Sequence, residues 1–137
     1  MKFILDTNVV SESTKARSDE RVMAWIDDQN SDDFCISVLT VGEIEKGIQA
    51  SKDPRRRANL RSWLDQTLIA FEGRILPIDQ RVSVTWGKTM ASVGRPVSVV
   101  DSLLAGTAIA HGLTFVTRNV DDVKDLPGLE VLNPWEA

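Results

Sequence analysis

The chain has 137 residues, of which 42% are hydrophobic and 26% are charged, proportions typical of a folded globular domain rather than a disordered or fibrous chain. Its single cysteine excludes an internal disulfide, and one cysteine with one histidine leaves too few ligands for a structural zinc site. The net charge of −4 gives no global positive field for nucleic acid, and no apolar run approaches the roughly 18 residues of a membrane span. We therefore expect a cytoplasmic protein that does not bind membranes.

Predicted strands and helices alternate along the chain, which is typical of an α/β domain with a mainly parallel sheet. Strands are predicted over residues 3–5, 33–37, 74–77 and 114–117, with a fifth edge strand over 129–132. Between them, a short helix is predicted after residue 6, and longer helices over 19–30, 40–51, 53–71, 79–91 and 98–111. No repeat or linker interrupts the pattern, so residues 1–135 are expected to form one domain.

Four polar positions occupy comparable places in this predicted topology. Asp6 follows the first strand, Glu43 lies near the start of the helix after the second strand, and Asn119 follows the fourth strand. The carboxyl edge of a parallel sheet is where α/β proteins bind ligands. The helix that begins at Ser98 leads into the fourth strand, so Asp101 in its first turn should reach the same edge. Acids from distant parts of the sequence are therefore expected to converge.

Each of these positions also has a simpler interpretation as a cap. Asp6 and Asn119 are residue types that accept hydrogen bonds at the start of helices and turns. The segments Thr40–Glu43 and Ser98–Asp101 match the capping-box spacing, in which a first-turn acid bonds an unpaired backbone N–H. For any one of these residues capping is the commoner role, and only their convergence favours chemistry.

Carboxylates gathered at one edge repel one another unless a cation compensates them. Within the immediate motifs the only basic candidate is Arg118. A hard divalent ion is the natural counterion, because Mg²⁺ and Mn²⁺ prefer oxygen ligands and keep several waters. Such an ion activates water and stabilises charge on phosphoryl oxygens, which suits the cleavage of phosphodiester bonds.

A basic stretch lies at the predicted start of the helix over 53–71 and contains Lys52, Arg55, Arg56, Arg57 and Arg61. Positive side chains at this spacing can contact phosphates, so the arginines are candidates for binding nucleic acid or a partner rather than for chemistry. The alternative is a solvated helix face with no binding role.

Four short motifs and the C-terminal segment resemble those of the PIN-domain ribonucleases, and more narrowly those of VapC toxins of type II VapBC toxin–antitoxin systems, on the FitB-like branch. These segments are Leu5–Val9, Glu43–Ile48, Val100–Ala105, Val116–Val120 and Leu132–Trp135. They occur in the family's order across almost the whole chain. The resemblance implies a PIN-like three-layer α/β/α domain with a mainly parallel four- to five-stranded sheet.

The resemblance also implies an activity and partners. It implies Mg²⁺-dependent cleavage of RNA, often of transfer RNA, with Mn²⁺ as a substitute metal. It further implies a homodimer that assembles into a larger complex with a cognate VapB-type antitoxin, which covers the active site and neutralises the toxin.

Carried over by motif, the resemblance assigns roles to individual residues. Asp6, Glu43 and Asp101 match the invariant acids of the family's site, with Asp6 and Asp101 as direct metal ligands. Asn119 takes a fourth catalytic position where many members carry Asp. This departure leaves a second metal open, and either Asp121 or Asp122 is a candidate for supplying the acid through water. In supporting roles, Thr7 and Arg118 match positions that steady a carboxylate or a phosphate.

Two other functions fit part of the pattern. An aspartate-based phosphatase would use Asp6 as a nucleophile, but haloacid-dehalogenase enzymes place a second Asp two residues later, where this chain has Asn8. A catalytically inactive PIN-like binding module would show the loss of an invariant acid, and none of the three is lost.

Overall fold

A computed structural model describes residues 1–137 and contains five strands and six α-helices. The strands are β1 (Phe3–Leu5), β2 (Phe34–Ser37), β3 (Ile75–Leu76), β4 (Thr114–Val116) and β5 (Glu130–Leu132). The helices are α1 (Thr7–Val10), α2 (Glu20–Asp28), α3 (Val38–Ala50), α4 (Pro54–Ala70), α5 (Gln80–Ala91) and α6 (Val99–His111). None of the helices combines the length and apolar character needed to cross a bilayer.

The five strands form one parallel sheet in the order β3-β2-β1-β4-β5. The first strand is central, and Ile4 aligns with Cys35 of β2 on one side and with Phe115 of β4 on the other. The predicted parallel sheet and its fifth edge strand are therefore confirmed. Because β1 is hydrogen-bonded to a strand from the last quarter of the chain, the two halves of the sequence form one sheet.

The core consists of two apolar layers, one on each face of the sheet. Ile4 and Phe115 are buried in a cluster with apolar residues of α6, while the next residues along each strand, Leu5 and Val116, are buried with residues of α1 and α2. Successive side chains of a strand point to opposite faces, so strands with no polar face require helices on both sides. This arrangement gives the three-layer α/β/α architecture.

The start of α3 differs from the prediction. The helix begins at Val38 rather than at residue 40, because the Ser37 hydroxyl accepts the Leu39 N–H at 3.0 Å and serves as the N-cap. Thr40 is therefore fully buried inside the helix, and Glu43 lies in its second turn. The capping-box interpretation of Thr40–Glu43 is wrong.

The other boundaries lie within a few residues of the predictions. Asp53 caps α4 ahead of Pro54, and Gly112 ends α6 with a φ of 65°, a left-handed conformation that glycine adopts at little cost. The second strand begins at Phe34 rather than at Asp33, because residues 31–33 form a 3₁₀ turn.

Candidate active site

The site lies where β1 and β4 end side by side. Asp6 directly follows β1, and its backbone N–H donates to the Val116 carbonyl at 2.9 Å. The Asp6 side chain is only 5% exposed, and each carboxylate oxygen accepts one hydrogen bond. Oδ1 accepts the Thr7 N–H at 2.7 Å, and Oδ2 accepts the Thr117 hydroxyl at 2.7 Å. These bonds hold the carboxylate in one orientation.

Thr117 is a site residue that the sequence analysis did not single out. Its buried hydroxyl donates to Asp6 and accepts the Asn119 N–H at 3.1 Å, so it links the end of β4 to the acid that follows β1. Thr117 lies inside the Val116–Val120 motif, and that motif could have identified it. Threonine is common in strands, however, so its presence in one is ordinarily explained by β-propensity alone.

Glu43 joins the site through Thr7. The Thr7 hydroxyl donates to Glu43 Oε1 at 2.6 Å and lies 3.3 Å from the hydroxyl of the buried Thr40. A hydroxyl has a single proton to donate, so Thr7 commits it to the carboxylate. The second turn of α3 is thereby tied to the first residue of α1, and no hydrogen bond occupies Glu43 Oε2.

Asp101 comes from the first turn of α6, as predicted. Its backbone N–H is accepted by the Ser98 hydroxyl at 3.4 Å, so Ser98 is the N-cap. The Asp101 carboxylate accepts no hydrogen bond, and the reciprocal half of a capping box is absent. The side chain is half-buried and free to bind something other than its own helix.

The electrostatics show that the acids are close together. Burial raises the pKa of Asp6, its two hydrogen bonds oppose the rise, and the charges of Asp101 and Glu43 add to it. Burial also raises the pKa of Asp101, with further contributions from Asp122 and Glu43. Both shifts mean that the ionised carboxylates are destabilised where they stand.

No ion pair compensates the carboxylates of this cluster, and the nearest basic contact is Arg95, which donates to the Asp122 backbone carbonyl at 2.8 Å. None of the ion pairs in the chain involves Asp6, Glu43, Asp101 or Asp122. Arg118, the cation of the Val116–Val120 motif, is exposed and stacks over a tryptophan ring, with its guanidinium carbon 5.2 Å from the ring centroid of the buried Trp135.

The residues around the fourth position take different roles. Asn119 is exposed and its side chain makes no capping hydrogen bond, so the interpretation of Asn119 as a cap is wrong. Asp121 pairs with Lys124 at 2.8 Å. The charge of Asp122 contributes to the raised pKa of Asp101. Of the two acids considered from the sequence, Asp122 therefore belongs with the cluster.

Two arginines of the basic stretch form hydrogen bonds within the fold. Arg61 donates to both carboxylate oxygens of Glu45 on α3, at 2.6 Å to Oε1, and this pairing lowers the pKa of Glu45 to about 2. Arg57 donates to Gln49 at 3.0 Å. These two arginines join α4 to α3, an outcome invisible in the sequence because it depends on how two helices pack.

The oxygen atoms of this site suit a hard cation that takes only some of its ligands from the protein. No three Cys, His, Asp or Glu side chains in the chain are arranged as a complete metal site. The available donors are the carboxylates of Asp6 and Asp101, with Asp122 and Glu43 nearby. Mg²⁺ ordinarily binds through one or two carboxylates and completes its shell with water and substrate phosphate, so a full protein cage is not required.

Comparison with known proteins identifies the family of this chain. The profile of the PIN domain matches residues 3–129, and the chain belongs to that family. Within the family it is similar to the VapC ribonuclease Y4jK of Sinorhizobium fredii, at 37% identity over 98% of both chains. It is also similar to the tRNA(fMet)-specific endonuclease VapC of Salmonella typhimurium, at 27% identity over 96% of both chains.

A third similar protein is toxin FitB of Neisseria gonorrhoeae, at 32% identity over 97% of this chain and 98% of that protein. In the crystal structure of FitAcB, the matching chain superposes with a TM-score of 0.91 over 98% of this chain and 99% of that chain. The predicted membership of the PIN family and the predicted fold are confirmed.

Proposed function

We propose that this protein is a divalent-metal-dependent endoribonuclease and the toxin of a type II toxin–antitoxin system. The observation that supports it best is the mutual influence of the Asp6, Glu43 and Asp101 carboxylates, none of which forms an ion pair. Uncompensated acids in a half-buried cluster need a cation, and similarity to VapC ribonucleases supports a nuclease as the enzyme that uses it.

We assign the metal as Mg²⁺, with Mn²⁺ able to replace it, and Asp6 and Asp101 as the residues that hold it. When bound, the ion lowers the pKa of a water molecule and neutralises charge on phosphoryl oxygens. Thr7 and Thr117 fix the orientation of Asp6, and Asp122 reinforces the negative field at Asp101.

The chain's other polar groups suit substrate and water. Glu43 Oε2 carries no hydrogen bond, so it can accept a proton from an attacking water while Oε1 is held by Thr7. The exposed Asn119 amide is placed to donate to a phosphate or sugar oxygen, and Arg118 beside it supplies positive charge. We assign Glu43 and Asn119 as catalytic and Arg118 as supporting.

The rival functions fit the geometry less well. A haloacid-dehalogenase-type phosphatase would place a second Asp two residues after Asp6, and Asn8 takes that position here. An inactive binding module has no need of acids that destabilise one another, and the raised pKa values of Asp6 and Asp101 support an active site instead.

We propose transfer RNA as the substrate class, supported by similarity to a tRNA(fMet)-specific endonuclease. Its location then follows from its substrate, and we place the protein in the cytoplasm. Residues 1–135 are proposed to act as one domain, since β1 and β4 pair at the centre of one sheet.

The proposed partner is a VapB-type antitoxin that supplies a cationic side chain to the acids and so competes with the metal. A homodimer that joins the antitoxin in a larger complex is part of the same proposal. Of the four arginines proposed to hold RNA or antitoxin, Arg55 and Arg56 are the ones whose side chains are not engaged by α3.

The experiment is cleavage of purified transfer RNA with Mg²⁺, with Mn²⁺ and after chelation. We expect cleavage with either metal, none after chelation, and none from Asp6→Asn. Asp28→Asn on α2, an exposed acid far from the site in the fold, is the matched control and should cleave as wild type. Metal-independent cleavage, or wild-type rates from Asp6→Asn, would overturn the proposal.

A further inference from the structure

A cavity opens directly beside the acid cluster. It has a volume of about 330 Å³ and is lined by Thr7 and Glu43 on the side of the candidate active site. We call it the Arg56 pocket, because Arg56 of α4 also lines it. A group bound there would be a neighbour of whatever the acids act upon.

The Arg56 pocket has apolar, cationic and hydroxyl-bearing walls, and its one acid, Glu43, lies on the side of the candidate active site. Ile44 and Ile48 of α3, with Leu60 and Trp63 of α4, form an apolar side that includes one aromatic ring. Lys15 and Arg56 supply positive charge, but Lys15 is already paired with the buried Glu12 at 2.9 Å. A cavity with apolar and cationic walls suits a ligand with an apolar ring and an anion.

Arg56 differs from the neighbouring arginines that pair with α3. Its guanidinium makes a single hydrogen bond, 3.4 Å long, to the Thr14 carbonyl, and no carboxylate pairs with it. A guanidinium has five N–H donors arranged to bind phosphate through two parallel hydrogen bonds. Most of the hydrogen-bonding capacity of Arg56 is therefore unused.

We propose that the Arg56 pocket binds one nucleotide of the single-stranded RNA segment next to the scissile bond, with the base against the apolar wall and its phosphate on Arg56. This rests on the ribonuclease function proposed above. Proteins that recognise single-stranded RNA stack unpaired bases on aromatic rings and hold the backbone with arginine. The pocket would thus select an unpaired, accessible nucleotide as the site of cleavage.

A protein partner fits this pocket less well than RNA does. A partner that brings a cation to the acids would meet a second cation, Arg56, at the same opening. On the other side of Trp63 lies a larger cavity of about 510 Å³ with mostly apolar walls, whose one arginine, Arg74, donates to three backbone carbonyls. That cavity suits an apolar protein segment better.

Gly47 offers a way to fill the Arg56 pocket without disturbing the fold. It lines the pocket from α3, and a Cβ built on it meets no atom within 4 Å. Gly87 on α5 is equally open and lies outside the pocket. Leucine at either position raises helix propensity to the same extent, so the two variants differ only in whether the new side chain occupies the pocket.

The test measures both binding and cleavage of a labelled single-stranded RNA oligonucleotide of mixed sequence. We expect Gly47→Leu and Arg56→Gln each to weaken binding about tenfold, and Arg56→Gln to reduce the salt dependence of binding by about one charge. Gly87→Leu and Lys88→Gln on α5 should match wild type. Both α5 variants should also cleave the oligonucleotide at the wild-type rate.

The outcomes separate this proposal from the proposed function. If wild type cleaves RNA and both pocket variants bind it normally, the pocket assignment is wrong and the nuclease stands. If wild type cleaves no RNA but the pocket variants lose binding, the pocket stands and the nuclease fails. Variants that keep RNA but lose the co-expressed antitoxin would assign the pocket to the protein partner. Thermal melting checks that each variant is folded, and its mass in solution checks its assembly. If Gly47→Leu does not fold, the RNA binding of Arg56→Gln alone decides the pocket assignment.

Discussion

Replacing Asp101 with asparagine separates metal binding from helix capping at the start of α6. Asn has nearly the shape of Asp and keeps one side-chain oxygen, but it lacks the negative charge that a divalent ion requires. In the structure the Asp101 carboxylate accepts no hydrogen bond, so the substitution breaks no contact within the protein. Any large effect must therefore come from a ligand.

The expected change in stability is small. Loss of a negative charge at a helix N-terminus costs about 0.3–1 kcal/mol. Relief of the repulsion from Glu43 and Asp122, which raises the pKa of Asp101, acts in the opposite direction. The free energy of unfolding without metal should thus stay within about 1 kcal/mol of wild type. Loss of residues that only orient metal ligands costs about 10–100-fold in affinity or activity, so loss of a ligand should lower cleavage about 100-fold or more.

The assay combines thermal melting, Mn²⁺ titration and RNA cleavage. Ser98→Ala is the matched control with the opposite pattern, because it removes the actual N-cap and leaves the acids intact. We expect Ser98→Ala to lower the free energy of unfolding by about 1 kcal/mol and to cleave normally. Near-normal cleavage by Asp101→Asn at low metal concentration would refute the assignment of Asp101 as a ligand.

Three further predictions follow from buried contacts. Thr117→Val removes the hydroxyl that donates to Asp6, so denaturant unfolding should show a loss of about 2 kcal/mol and cleavage should fall, with Thr117→Ser restoring both. Glu12→Ala removes a carboxylate that is 2% exposed and accepts the Asp19 N–H at 2.9 Å, and denaturant unfolding should again show a loss of about 2 kcal/mol. Because the folded state raises the pKa values of Asp6 and Asp101, it binds their protons more readily than the unfolded chain. In the metal-free protein their contribution to the free energy of unfolding should therefore rise as pH falls from neutral toward 3.8. A difference in denaturant unfolding between wild type and Asp101→Asn that does not change over this range would contradict the shift at Asp101.

The convergence of the acids was predictable from topology. Asp6 and Asn119 follow strands that had to be parallel, and Asp101 starts the helix that leads back into one of them. These are consequences of connectivity, which the alternation of strands and helices reveals. The sequence alone therefore located the site at the carboxyl edge, before any side-chain position was known.

What the sequence did not reveal depends on contacts between distant segments. The predicted start of α3 was too late because Ser37 is both the last residue of β2 and the N-cap of α3, and a strand that leads directly into a helix leaves no turn residues between them. Thr117 and Glu12 are buried partners of other groups, and burial of a single polar residue has no periodic signature. The pairing of Arg61 with Glu45 needs α3 and α4 side by side.

The acid cluster links the fold to its regulation through charge alone. Asp6 is held by the central strand and by hydrogen bonds from Thr7 and Thr117, so its carboxylate stays in place even though burial and its neighbours disfavour its charge. A cation that binds there relieves the repulsion and stabilises the folded state in proportion to its affinity and concentration. A metal ion and a cationic side chain from an antitoxin would draw on the same relief. On the proposed function, each should therefore weaken the binding of the other.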